Sequence, residues 1–242
     1  MHELAADTPA EEVTALIHHL NQDSNVDSFL VQLPLPEASR GATATIVNTI
    51  TSAKDVDGLT AATRAALKGG DLIGLYPTPA YAVLMLLAVA SGEVDWQRAF
   101  VHHLRTAELP QLIPANFRGK RVVVVSNGEV FGDVLALVFE RHGLATTVRR
   151  SDASDLAAVV RTSDVVVPAV GLPGCVTGDM LKPGAVVLDV GTTRVGNALK
   201  GDLDWASARF SDVTATPVPG GVGPVTVACL FANAVALRFL ST

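Results

Sequence analysis

Cysteine is nearly missing: Cys175 and Cys229 are the only two in 242 residues, far apart and in no metal-ligand spacing. That excludes a disulfide framework or a thiolate zinc site, and both are read as reduced, buried side chains with no metal in the chain. An excess of positive charge is missing too. The formal net charge is −6 and only Lys120-Arg121 and Arg149-Arg150 are adjacent basic pairs, so nucleic acid is not an expected partner. No apolar run is long enough for a bilayer: the longest, Ala80 to Ala90, falls well short of the ~20 residues a spanning helix needs. The opening MHELAADTPAEE is acidic and has no apolar signal core. The expectation is a cytoplasmic protein that handles small molecules away from any membrane. Repeats and low-complexity tracts are absent as well.

What is present is an apolar content of 49%, enough to bury one large core or two modest ones. Apolar positions at Val13, Leu16, Ile17 and Leu20 after Asp7-Thr8-Pro9 predict a helix over Ala10 to Gln22. Phe29 to Leu33 reads as a short buried strand ended by Pro34 and Pro36, and Ala42 to Ile50 as a helix. The segment AKDVDG ends in a turn at Gly58, and LYPTP at 75–79 opens an apolar helix to about Ala90. Residues 91–119 read as an inserted helix around Trp96, Phe100 and Leu104, followed by a linker.

From Arg121 the pattern changes to strand (Val122 to Val125), loop, helix (Val130 to His142) and strand (Ala145 to Arg149), a βαβ unit. A helix near Asp155 to Arg161, strands at Val165 to Val170 and Ala185 to Val190, and a last strand near Val213 continue it. Valine runs without polar alternation suit a parallel sheet covered on both faces. The final helix, Val225 to Leu240, is apolar all round and is expected to pack deep or to join domains. The fold class is therefore α/β. The chain divides into 1–90, the insertion 91–119, a Rossmann-like domain at 120–224, and a helix at 225–242 that packs back on the first part.

The loop SNGEVFG, with Ser126, Gly128 and Gly132, sits at a strand end and a helix start, where free N–H groups attract a dinucleotide phosphate. It lacks the full G-x-G-x-x-G fingerprint, so a plain α/β turn stays open. Arg149, Arg150 and Ser151 end the next strand, where basic side chains would accept a ribose 2′-phosphate; a solvated pair balanced by Asp152 and Asp155 is the alternative. Further glycines follow strands at Gly171, at Gly191 and in PVPGGVGP, which reads as a ligand border or a rigid turn. In the first half the polar candidates are Gln32 and, in KDVDG, Lys54, Asp55 and Asp57. A carboxylate can hold the donor edge of a flat heterocycle through paired hydrogen bonds, which favours Asp57 or Asp55; alone, such residues are usually caps and turns.

Taken in order, VQLPLP (31–36), KDVDG (54–58), YPTP (76–79), VLDVG (187–191) and TPVPGGVGP (216–224) resemble the methylenetetrahydrofolate dehydrogenase/cyclohydrolase family. The resemblance implies a truncated N-terminal folate-binding α/β domain plus a Rossmann-like domain, acting as a homodimer. It implies hydride transfer from 5,10-methylenetetrahydrofolate to NADP or NAD, with Arg149 and Arg150 favouring NADP. It assigns Gln32 to the bridging of a catalytic lysine and Asp57 to the pterin. Pro219, Gly220, Gly221 and Pro224 would border the folate, and Gly171, Gly191 and Thr226 the nicotinamide end.

The chain departs from the family in three places. The sequence begins after the point where the family places Tyr-x-x-x-Lys, and Tyr76 and Tyr81 are followed four residues on by Ala80 and Met85. The phosphate loop is altered, and Pro77 stands where the family commonly has cysteine. Ring hydrolysis, which relies on the lysine, is expected to be weak or lost, while hydride transfer depends more on orientation. A non-catalytic folate binder and a subunit completed by a partner remain the alternatives.

Overall fold

The computed structural model describes residues 1–69, 76–92, 95, 97–98, 117–208 and 212–240. The expected helix around Trp96, Phe100 and Leu104 lies outside the described residues.

The N-terminal lobe begins with α1 (Ala10–Gln22), whose Glu11 and Glu12 lie at its positive end and whose Val13 and Ile17 face inward. Short helices α2 (Glu37–Arg40) and α3 (Thr43–Asn48) follow, and Leu35, Ile46 and Ile50 complete a small core with α1. Lys54 Nζ donates to the Leu20 and Asp23 carbonyls at 2.9 and 2.6 Å, closing the carbonyl end of α1. The expected strand at Phe29 to Leu33 is reduced to one bridge, Phe29 with Asp55. Pro34 offers no N–H, and among the described residues Phe29 N is the one backbone donor of this stretch, to the Lys54 carbonyl at 3.1 Å.

A helix that the sequence pattern did not predict, α4 (Ala61–Gly69), starts beside the KDVDG turn. Thr60 Oγ1 accepts from Thr63 N at 3.2 Å, the capping signal that marks its start. Gly58 sits at φ +70°, and a Cβ there would lie 2.7 Å from Pro77 Cα. The KDVDG and YPTP turns therefore touch backbone to backbone. From the second turn runs α5 (Thr78–Ser91), buried along almost its whole length and closed by Gly92 at φ +66°.

The second lobe is a parallel sheet. Its strands are β1 (Arg121–Val125), β2 (Ala145–Arg149), β3 (Val165–Pro168), β4 (Val186–Val187) and β7 (Thr214–Ala215), in the order β2-β1-β3-β4-β7. Register is direct: Val122 lies opposite Thr146 on one side and Val165 on the other. A hairpin of β5 (Thr193–Val195) and β6 (Ala198–Lys200), not read from the sequence, stands apart. The strands β3 and β4 end before the expected Val170 and Val190, although Leu188 N and Val190 N still donate to the Val166 and Pro168 carbonyls at 2.9 Å.

Alternation along the strands sorts the valines onto two faces. Val122, Val124, Val165 and Val167 meet α5 and α6 (Glu129–Arg141), while Val123, Val125 and Val166 meet Leu156 and Val160 of α7 (Leu156–Thr162). A short α8 (Trp205–Ala208) precedes β7, and the chain ends in the 19-residue α9 (Val222–Leu240), which packs along α5. Starting at Val222 rather than Val225, α9 takes Gly223 and Pro224 into its first turn, where a missing N–H is harmless. It is not buried all round: Cys229, Ala232, Ala236 and Leu237 are, but Val227, Phe231 and Val235 are exposed. No helix among the described residues is long and apolar enough to cross a membrane.

Candidate functional site

Between the lobes lies a cleft of about 380 Å³, within the range of small-molecule sites. The N-terminal lobe supplies Leu30 to Leu33, Asp57, Leu59 and Pro79; the sheet lobe supplies Phe131, Val190 and Thr192; the first turns of α9 supply Val222, Gly223, Thr226, Val227 and Leu230. The walls are mostly apolar, and Asp57 is the carboxylate among their residues.

The two aspartates of KDVDG have separate tasks. Asp55 is 2% exposed, and its oxygens accept from the N–H of Gly58, Leu59 and Thr60 and from Thr63 Oγ1 at 2.7 to 3.3 Å. It caps the turn and the start of α4. That leaves Asp57 on the cleft. Burial pushes its carboxyl up to about 6; a hydrogen bond with Thr78 acts in the opposite direction and the Asp55 charge adds to the rise. Gln32 also lines the cleft, and its Nε2 donates to the Leu33 carbonyl at 3.0 Å. Among the described residues, no lysine lines the cleft.

Of the glycine-rich segment, Gly223 and Val222 reach the cleft. Pro219, Gly220 and Pro224 lie beside it, nearer the surface, and Gly221 is buried, where a Cβ would meet the Pro217 carbonyl at 2.4 Å. Thr226 joins Asp57 and Gln32 on the cleft wall, its Oγ1 donating to Val222 O at 3.0 Å.

The phosphate-loop residues lie at the end of β1, next to the gap between β1 and β3 where the strand order reverses, the crevice in which such sheets bind ligands. Ser126 is buried and its Oγ exchanges hydrogen bonds with Gly128, the side-chain-free N-cap of α6. Gly132 lets α6 lie close on the sheet: an added Cβ would sit 3.1 Å from both Ser126 Cβ and Val148 Cγ1. Ser151 N donates to Asn127 Oδ1 at 3.0 Å, which ties this loop to the end of β2. Arg149 Nε lies 3.0 Å from an Asp155 oxygen and Arg150 Nε 3.1 Å from an Asp152 oxygen, so both cations are paired at the surface.

Two carboxylates that the sequence pattern did not single out shape the next strand ends. Asp202, fully buried, accepts from the N–H of Val170, Gly171 and Leu172 at 2.6 to 3.1 Å. Asp189 accepts from Gly191, Asp202 and Leu203 N–H groups, and burial raises its carboxyl to about 6 although those N–H groups pull the other way. Gly191 has no room for a side chain, since a Cβ would fall 2.1 Å from Asp202 Cγ. The only sequence signal was the run of VLDVG and GDLD; the pairing needed the fold. An uncapped helix start at a switch point and strand-end loops fixed from beneath fit a dinucleotide. Ser126, Gly128 and Gly171 lie at these strand ends.

Comparison with known proteins agrees with this geometry. Residues 106–240 match the family model "Tetrahydrofolate dehydrogenase/cyclohydrolase, NAD(P)-binding domain", and residues 1–57 match its catalytic domain. The chain is 39% identical over 236 residues to the "Bifunctional protein FolD" of Cereibacter sphaeroides, covering 96% of this chain and 71% of the relative. Among solved structures, the methylenetetrahydrofolate dehydrogenase-cyclohydrolase of Trypanosoma brucei, complexed with NADP cofactor and inhibitor, is 32% identical with a TM-score of 0.78, over 99% of this chain and 75% of that one. The Campylobacter jejuni enzyme gives 29% and 0.78, with 99% and 76% covered. Matched over both lobes, the chain belongs to the tetrahydrofolate dehydrogenase/cyclohydrolase family.

Proposed function

We propose that the chain oxidises 5,10-methylenetetrahydrofolate with NADP in preference to NAD, and that its cyclohydrolase activity is weak. The observation that carries this is the cleft on which Asp57 and Gln32 of one lobe meet Val190 and Thr192 of the other. In this reading residues 1–90 hold the folate, 120–224 hold the cofactor, the helix 225–242 joins them, and 91–119 is an insertion.

Asp57 accepts the paired N–H groups of the pterin edge, which hold the ring in register; a largely desolvated carboxylate makes such bonds strong. Leu30, Leu33 and Leu59 flank the ring and exclude water. Gly223 and Thr226 border the folate from α9, with Pro219, Gly220, Gly221 and Pro224 shaping the approach. Ser126, Gly128 and Gly132 carry the pyrophosphate loop, Arg149, Arg150 and Ser151 lie where a 2′-phosphate would reach, and Gly171 and Gly191 lie near the nicotinamide. The nicotinamide, when bound, supplies the hydride acceptor. For orientation-controlled hydride transfer the chain needs only to hold donor and acceptor in contact. Ring hydrolysis asks for a proton-moving group at the bridge nitrogen, and the amide of Gln32 donates to the Leu33 carbonyl. The resemblance adds a second copy of the chain as partner, and the short apolar runs favour the cytoplasm as its place.

Spectrophotometric assay of methylenetetrahydrofolate with NADP, then NAD, tests this. Turnover with NADP above that with NAD is expected, with methenyl product accumulating. No signal with either cofactor alongside tight folate binding would show a binder instead, and rapid loss of the methenyl absorbance would refute the weak hydrolysis.

A further inference from the structure

Asn233 lies in the middle of α9, in an otherwise apolar stretch, and is 0% exposed. Its Nδ2 donates to the Val56 carbonyl at 3.0 Å, to the Tyr76 carbonyl at 2.8 Å and to Thr78 Oγ1 at 3.3 Å. The amide orientation is fixed by these partners, because the reversed amide would set an oxygen against two carbonyl oxygens. Its Oδ1 is buried with no hydrogen-bond partner among the described residues. The bonds that the amide donates satisfy acceptors on the two turns and none within α9 itself, so what Asn233 holds is the position of those turns against the helix.

All three acceptors belong to the two turns that frame Asp57. Val56 precedes it in the chain, and Thr78 N donates to the Asp57 carbonyl at 2.9 Å. Thr78 Oγ1 also donates to Val56 O at 3.1 Å, and the Thr78 side chain lies close enough to the Asp57 carboxyl to act against the rise that burial causes. Well along its length, α9 thus grips the Asp57 turn, while its first turns present Gly223 and Thr226 to the same cleft. We infer that Asn233 is a positioning residue for substrate: it fixes the distance and direction of the Asp57 carboxylate relative to the α9 wall against which the pterin lies. This rests on the reading of Asp57 as the pterin-holding group.

The test is a double-mutant cycle of Asn233→Leu and Asp57→Asn in the full chain, read by KM and kcat for methylenetetrahydrofolate and by the Kd for NADP. For Asn233→Leu the expected result is a KM raised about tenfold, a kcat within about threefold, and an unchanged NADP Kd; tenfold corresponds to about 1.4 kcal/mol. Added to Asp57→Asn, the second substitution should change KM by less than about twofold, since the group it positions is already disabled. A purely structural role would instead lower kcat through the folded fraction and multiply with Asp57→Asn. That outcome overturns the inference while leaving Asp57 in place. An Asp57→Asn variant with unchanged KM overturns both. Should Asn233→Leu fail to fold, Asn233→Ala, which removes the same amide with less bulk, takes its place in the cycle: a raised KM that disappears in the Asp57→Asn background supports the inference, and a multiplicative loss of kcat overturns it.

Discussion

Asp55 and Asp57 stand two residues apart with the same chemistry, and only the turn separates their roles. Asp55 receives three backbone N–H groups and a threonine hydroxyl, so its charge is satisfied within the fold. Asp57 has no comparable set of donors among the described residues and carries a carboxyl raised to about 6 by burial. A raised carboxyl contributes stability that is fully present below its ordinary value near 3.8 and is lost as pH rises through 6. Asp57→Asn should therefore stabilise the unliganded protein at pH 8, by roughly 1–3 kcal/mol, and the gain should vanish below pH 3.8. Thermal melts across pH check this, and a gain that persists in acid would contradict it. The sequence supplied both candidates but could not choose between them, because the choice depends on which oxygens the Gly58 to Thr63 segment captures. Asn233 was out of reach altogether: its acceptors lie more than 150 residues away in the chain.

Elements with strong periodicity were legible: α1 spans the expected Ala10–Gln22, β2 the expected Ala145–Arg149, and the βαβ unit of β1, α6 and β2 lies where the valine pattern put it. Elements fixed by distant partners were not. Phe29 to Leu33 has strand composition but, among the described residues, pairs only through the Phe29–Asp55 bridge, and the β5–β6 hairpin is a short, largely exposed excursion without apolar alternation. Contacts between elements were equally hidden. Tyr76, at the foot of α5, bonds through its hydroxyl to His142 Nε2 at the end of α6, with the rings 5.4 Å apart. Burial, with a smaller push from Arg141, lowers His142 to about 4. For a depressed histidine the unfolded chain binds the extra proton, so stability falls as pH drops from about 6.5 through 4. His142→Gln, which keeps an acceptor but cannot titrate, should lose up to roughly 3 kcal/mol less than the parent over that window. Asp57 and Asp189, both raised to about 6, act in the opposite sense there, so the comparison must be made as a difference between the two proteins. Equal acid sensitivity in both would remove His142 as the cause.

On the scale of the whole molecule, the two lobes share one core rather than abutting. Tyr76, Tyr81, Leu84 and Leu87 of the first lobe belong to the same buried cluster as Val122, Val124, Phe139 and Leu188 of the second, and Cys229 of α9 joins them. Arg141 Nη1 donates to the Leu67 carbonyl at 2.8 Å, a further tie from α6 to α4. Separating the lobes would expose this cluster to water at about 25 cal/mol for each Å² of apolar surface, which leaves neither lobe a complete core. The chain should accordingly unfold as one unit, with calorimetric and van't Hoff enthalpies equal. A ligand bound to the sheet lobe alone must then protect both: NADP at a hundred times its Kd adds about 2.7 kcal/mol to the stability of a single unit. The prediction is one heat-absorption peak that moves upward intact when NADP is added. Two peaks, with only one of them shifted, would mean that the shared cluster does not couple the lobes, and that the cleft between them is set by ligand rather than by the fold.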